Sequence, residues 1–183
     1  MRFFTAIELS DDQREQLADL RGSLPGATWV PPANYHLTLR FLGEITSRHQ
    51  AEEIDLALSR VSCASFPLSL CGTGLFSGSR LDRLWIGVAR CEALMQLQSR
   101  IETALRRAGL PPEKRRFQPH VTIAHMDPMA HDAVARWMQN YNLLSSPPVL
   151  VTSFTLFESL RGPDTPVYEP SALYPLDAKA NVF

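Results

Sequence analysis

A four-residue unit occurs once in each half of the chain: His36-Leu37-Thr38-Leu39, and close to half the chain length later His120-Val121-Thr122-Ile123. In an extended strand successive side chains point to opposite faces, so within each unit the histidine and threonine share one face and the two apolar residues the other. His and Thr then stand roughly 7 Å apart at about 3.3 Å per residue. The pattern predicts two strands, each burying its apolar face in a core and presenting a His-Thr pair to a cleft. A chain built around both carries an internal pseudo-twofold repeat with four polar side chains facing one space.

The flanking sequence supplies elements to hold such strands. Arg2 to Leu9 reads as a strand, and Ser10-Asp11-Asp12-Gln13 is a capping-box sequence opening a helix that turns Leu17 and Leu20 inward. Tyr35 to Leu42 alternates Tyr35, Leu37, Leu39 and Phe41 on an apolar face with His36, Thr38 and Arg40 on the other. Ser47-Arg48-His49-Gln50 starts a second helix, running to about Val61. Strands follow at Phe66 to Phe76 and Leu84 to Ala89, with a bulge or bend expected at Gly72-Thr73-Gly74. Leu94, Leu97, Ile101, Leu105 and Ala108 recur at helical spacing until Gly109 and Pro111-Pro112. A basic loop leads to a strand at His120 to Met126, Asp127-Pro128 caps a short helix through Trp137, strands near Val149 to Glu158 and Val167 to Leu176 follow, and the last residues read as a loose tail. Helices and strands alternate with no long unstructured stretch, which predicts one integrated α+β domain over residues 1–183.

Composition excludes several classes. The 183 residues are 45% hydrophobic and 20% charged with a net charge of -1, values of a folded chain rather than a disordered one or one that coats nucleic acid nonspecifically. No apolar run approaches the roughly 18 to 20 residues of a membrane span, and an acid at Glu8 interrupts any signal-peptide core, so a cytoplasmic protein without membrane contact is expected. Cys63, Cys71 and Cys91 fit neither a disulfide framework nor a metal clip and read as free thiols.

The chemistry follows from the residue types. Imidazole, with an ordinary pKa of about 6.5, lets one copy act as acid and the other as base near neutrality, and threonine offers a hydroxyl donor without charge. Two imidazoles and two hydroxyls suit a phosphodiester: one imidazole deprotonates water, the other protonates the departing sugar oxygen, and the hydroxyls hold the non-bridging oxygens. Each unit alone is also compatible with a structural or merely exposed histidine; the two in matching parity favour function. A metal-dependent alternative is disfavoured, because His120 and His125, five residues apart, should face opposite sides of a strand and no His-Glu-x-x-His helix exists. No phosphate-loop or dinucleotide-binding motif is present, so no cofactor is expected. The run Lys114-Arg115-Arg116-Phe117 can steer a phosphate chain and offer a ring for a base, and Tyr35 and Trp85 are further candidates for stacking.

The extended units resemble the two-histidine phosphoesterase superfamily, specifically the RNA 2',3'-cyclic phosphodiesterases historically called 2'-5' RNA ligases. The similarity rests on Arg2-Phe3-Phe4 with Ala6-Ile7, on His36 through Gly43, on Phe117-Gln118-Pro119 leading into His120 through Ile123, and on Phe154 through Ser159 followed by Gly162 and Tyr168. It implies a bilobal fold, two antiparallel sheets around a central cleft with flanking helices, and cofactor-free hydrolysis of an RNA terminal 2',3'-cyclic phosphate or small cyclic nucleotide to a 2'-phosphate. It also implies that His36 is the proton donor to the leaving 3' oxygen, that His120 is the base activating water, and that Thr38 and Thr122 lie on the phosphate. Relatives often carry an arginine soon after the second unit; this chain has Ala124-His125 there, and Arg116 or Arg40 is the expected substitute cation. Candidate RNA contacts are therefore Tyr35, Arg40, Arg116 and Phe117, on a monomer. The same site could run in reverse as a 2'-5' ligase, or serve as a noncatalytic RNA-end binding module; water at about 55 M favours hydrolysis, and histidines half neutral at pH 7 favour catalysis over binding alone.

Overall fold

The structure, a computed structural model, describes residues 2–163 and 165–178; the tail expected at the end of the chain lies largely outside them. The first sheet is four-stranded. Strand β1 (Arg2–Glu8) pairs antiparallel with β3 (His36–Glu44) on one side and with β9 (Ser153–Leu160) on the other, and β10 (Val167–Pro175) extends it beyond β9. The second sheet runs β2 (Thr28–Trp29), β7 (His120–Met126), β6 (Asp82–Val88) and β5 (Leu70–Phe76), again antiparallel. Each His-x-Thr unit opens a strand, β3 in one sheet and β7 in the other, and these two strands touch. This is the two-lobed α+β arrangement expected from the sequence.

Two single strands of the sequence reading divide. The stretch 66–76 splits at Ser69 into β4 (Phe66–Leu68) and β5, and 149–158 splits at Thr152 into β8 (Val149–Val151) and β9. Strands β4 and β8 pair with each other as a small third sheet. At the foreseen glycine site the β5–β6 register slips between Leu70 and Thr73, and Gly72 has φ +69°, a left-handed conformation that favours glycine.

Four helices cover the sheets. In α1 (Asp11–Ala18) the Ser10 side chain accepts from the Gln13 N–H and the Gln13 side chain accepts from the Ser10 N–H, the reciprocal capping box read from sequence. Helix α2 (Arg48–Ser59) has Ser47 as its cap. The longest, α3 (Glu92–Arg107), buries Leu94, Leu97, Ile101 and Leu105 and packs on β3 and α2. A 3-10 turn at Pro128–Ala130 precedes α4 (His131–Tyr141), which packs on β5. A continuous apolar core joins both halves through Leu37, Leu39, Val121 and Ile123. Phe4, Ala6 and Phe157 form a separate small cluster with Tyr168 packed against it.

Both motif strands carry a bulge at the same place. Thr38 pairs with Ala6 and Arg40 with Thr5, leaving Leu39 as the extra residue; Thr122 pairs with Trp85 and Ala124 with Leu84, leaving Ile123. An inserted residue reverses the facing of everything after it. Strict alternation, which puts Arg40 on the cleft face and Phe41 in the core, is therefore corrected: Arg40 is 7% exposed and Phe41 59%. The same reversal buries Ala124 and turns His125 to the side of the strand bearing His120, against the expectation that these two histidines face apart.

Candidate active site

Between the sheets lies a groove of about 1020 Å³ lined by His36, Thr38, His120 and Thr122 together. The two local sequences hold their histidines by one device. The Nδ1 of His36 lies 2.7 Å from the Asn34 carbonyl and the Nδ1 of His120 lies 2.7 Å from the Gln118 carbonyl, each two residues upstream. A carbonyl only accepts, so each Nδ1 carries the proton and each Nε2 is left free of the backbone. The upstream loop of the first unit is itself tied down. Arg14 of α1 donates to the Pro32 and Ala33 carbonyls at 2.9 and 3.2 Å, and the Asn34 amide donates to the Pro166 carbonyl at 2.9 Å.

Each ring is walled by aromatics, of which the sequence reading named only Trp85 as a contact. His36 stands 4.8 Å from the Phe4 ring and edge-on to Tyr168 at 5.1 Å. His120 stands edge-on to Phe76 at 4.8 Å and 5.9 Å from Trp85. Trp85 leans across Gly74, where a Cβ would overlap the indole, so glycine is required opposite it. These contacts join residues far apart in the chain, and no local pattern signals them.

The environments shift both histidines the same way. Burial pushes His36 down to about 4; its hydrogen bond to Asn34 opposes this, while the positive charges of His120 and Arg14 lower it further. Burial also lowers His120, and Arg83 adds to the lowering. Burial thus holds both toward the neutral imidazole. The Nε2 of His36 lies 3.0 Å from the Thr38 hydroxyl.

The remaining sequence candidates separate. Arg116 and Phe117 line the groove. Arg40 borders it, but its guanidinium is engaged from behind: Nε donates to Glu102 at 2.6 Å, Nη2 donates to the Pro111 carbonyl at 2.6 Å, Nη1 donates to the Phe41 carbonyl, and Glu113 lies 3.7 Å away. The bulge turns it toward α3, so it is an internal ion pair and not a free substrate cation. Tyr35, 1% exposed, is a core residue and not a stacking surface, because its side chain falls on the buried face with Leu37. Trp85 flanks His120 and does not line the groove. Among the described residues no three His, Cys, Asp or Glu side chains are grouped to hold a metal ion, and no helix is long and apolar enough to cross a membrane.

Comparison with known proteins agrees with this geometry. The family described as LigT like Phosphoesterase matches twice, over residues 7–85 and 86–168, one match for each half. The RNA 2',3'-cyclic phosphodiesterase of Thermotoga maritima is 30% identical over 177 residues, covering 92% of each chain. That of Escherichia coli K12 is 32% identical over 162 residues, covering 86% of each. The crystal structure of E. coli LigT in apo form superposes with a TM-score of 0.77 at 28% identity over 96% of each chain, and its complex with 3'-AMP with 0.75 at 27% identity over 96% of this chain and 97% of that one. With its doubled motif, its bilobal sheets and a match across both halves, the chain belongs to the LigT-like phosphoesterase family.

Proposed function

We propose that this protein is an enzyme that hydrolyses RNA terminal 2',3'-cyclic phosphates to 2'-phosphomonoesters. The observation that carries the reading is the convergence of two histidines and two threonines from equivalent strands on one groove, each imidazole fixed through Nδ1 so that Nε2 is the working atom. The relatives named as RNA 2',3'-cyclic phosphodiesterases support the substrate class.

In the reaction His120 accepts a proton from water as the water oxygen attacks phosphorus. The bond from phosphorus to the 3' oxygen breaks, and His36 gives its proton to that oxygen, leaving a 3' hydroxyl and a 2'-phosphate. Thr38 and Thr122 donate to the non-bridging oxygens where charge accumulates. Burial biases both imidazoles toward neutrality, so the proton that His36 delivers is taken up with the substrate: a bound phosphodiester anion offsets the burial that holds His36 near 4. Arg116 and Phe117 at the rim supply charge and a stacking ring for the adjoining nucleotide. The cleft is complete within one chain, which supports a monomer, and its three cysteines are free thiols, in keeping with a cytoplasmic setting.

The test is an oligonucleotide ending in a 2',3'-cyclic phosphate, incubated with the protein after exhaustive EDTA treatment and analysed for its ends. A 2'-phosphate product is expected. An untouched cyclic end at enzyme excess, with the oligonucleotide bound, would leave a noncatalytic end-binding module.

A further inference from the structure

The groove contains a cation that the reaction as described does not use. Arg83 is the only arginine or lysine in the four strands of the sheet that carries His120. It is exposed, lines the groove, and sits directly across from His125 in the β6–β7 ladder. Trp85, two residues on and so on the same face of β6, pairs with Thr122. No carboxylate among the described residues pairs with the Arg83 guanidinium, which lies 5.7 Å from the centroid of the Phe76 ring, the ring that stands edge-on to His120. Arg40, by contrast, is spent on Glu102 and backbone carbonyls, while Arg115 and Arg116 come from the loop ahead of β7.

We infer that Arg83 is a substrate-binding residue, held over Phe76, whose guanidinium binds the non-bridging oxygens of the terminal phosphate on the His120 side of the groove. The inference rests on the phosphodiesterase reading above and adds a residue to it. A guanidinium matches phosphate oxygens bidentately, and a ring face beneath it limits its orientations without neutralising it. The partner across the ladder matters too: a carboxylate at 125 would pair with Arg83, whereas an imidazole lowered by burial and by Arg83 itself stays neutral and leaves the cation available. That the charge is felt by the acid-base machinery follows from its lowering effect on His120.

The test compares wild type, Arg83→Gln and Arg83→Lys on a mononucleoside 2',3'-cyclic phosphate, which has a single phosphate, and on an oligonucleotide with the same end. Arg83→Gln should lower kcat/KM about 10- to 100-fold on both substrates, mainly through KM, with partial recovery in Arg83→Lys. In the ligand-free protein, NMR titration of His120 should give a higher pKa in Arg83→Gln, and inorganic phosphate, followed through the His120 signals, should bind about tenfold more weakly or worse. The phosphate titration needs no turnover, so it separates this inference from the reading it rests on. A wild-type KM and wild-type phosphate affinity in Arg83→Gln would overturn the assignment. So would a loss confined to the oligonucleotide, which would move Arg83 to an upstream phosphate.

Discussion

His36 and His120 hold equivalent places in two strands with the same bulge and the same carbonyl two residues upstream, yet their surroundings differ. The His36 side is closed: Phe4, Phe157 and Tyr168 crowd the ring, the threonine hydroxyl caps Nε2, and the bulge sends the arginine after the motif into the protein interior. The His120 side is more open, with His125 in the place of Phe41 and Arg83 facing the groove from the next strand. One local design thus fixes both rings, and long-range neighbours set a different surrounding around each.

The largest effects are expected at the two histidines. His36→Ala and His120→Ala should each lower turnover by at least the 10² to 10⁴ typical of a lost proton-transfer group, and the double variant should lose much less than the product, measured as kcat on the cyclic-phosphate oligonucleotide. Multiplicative losses would mean that the two halves act independently. Next in size is Arg40. Replacing it with Ala leaves Glu102 without its partner beside a closed core and should lower unfolding free energy by about 2 to 4 kcal/mol, a little under the range for fully buried pairs because Glu102 keeps some exposure. The corresponding residue in the other half, Ala124, carries no charge to lose, so its half has no counterpart to this sensitivity. Thr38→Val and Thr122→Val should each cost about 1 to 3 kcal/mol in transition-state binding, read from kcat/KM, with folding intact.

The two histidines also set the pH dependence. Because burial lowers both histidines, the bell in kcat/KM should lie on the acid side of the one expected for unperturbed imidazoles, with His36 near 4 setting its acid limb. The bell in kcat should sit at higher pH, since a bound phosphate anion raises both groups. Stability carries the matching sign. A histidine lowered from 6.5 to about 4 lets the unfolded chain bind more protons than the folded one across that window. The wild-type protein should therefore lose stability as pH falls from about 6.5 toward 4, by up to about 3 kcal/mol from this group, with no effect above the window. Denaturant melts of wild type and His36→Ala at pH 7 and 4.5 check it: the variant should lose less on acidification.

Much of this was legible in the sequence because the decisive signals are local. Strand parity put each histidine with its threonine, the Ser10 capping box opened α1, and the spacing of Leu94 to Leu105 defined α3. What escaped is of two kinds. A single inserted residue at Leu39 or Ile123 changes no composition or periodicity, yet it reversed the facing of Arg40, Phe41 and His125. Likewise Ser69 and Thr152 mark strands passing from one sheet to another with no turn residue between. The second kind is tertiary: Phe4, Phe76, Tyr168 and Arg83 reach the histidines from other strands, and Tyr35 was buried by its place on the apolar face that the alternation itself had described.

The division of labour between the two histidines is tested most directly by a 2',3'-cyclic substrate in which sulfur replaces the leaving 3' oxygen. A thiolate departs without protonation, so the general acid becomes dispensable while the base does not. His36→Ala should turn over this substrate within about tenfold of wild type, and His120→Ala should remain as impaired as on the oxygen substrate. Rescue of His120→Ala with none for His36→Ala would reverse the roles, and rescue of neither would contradict an acid-base pair.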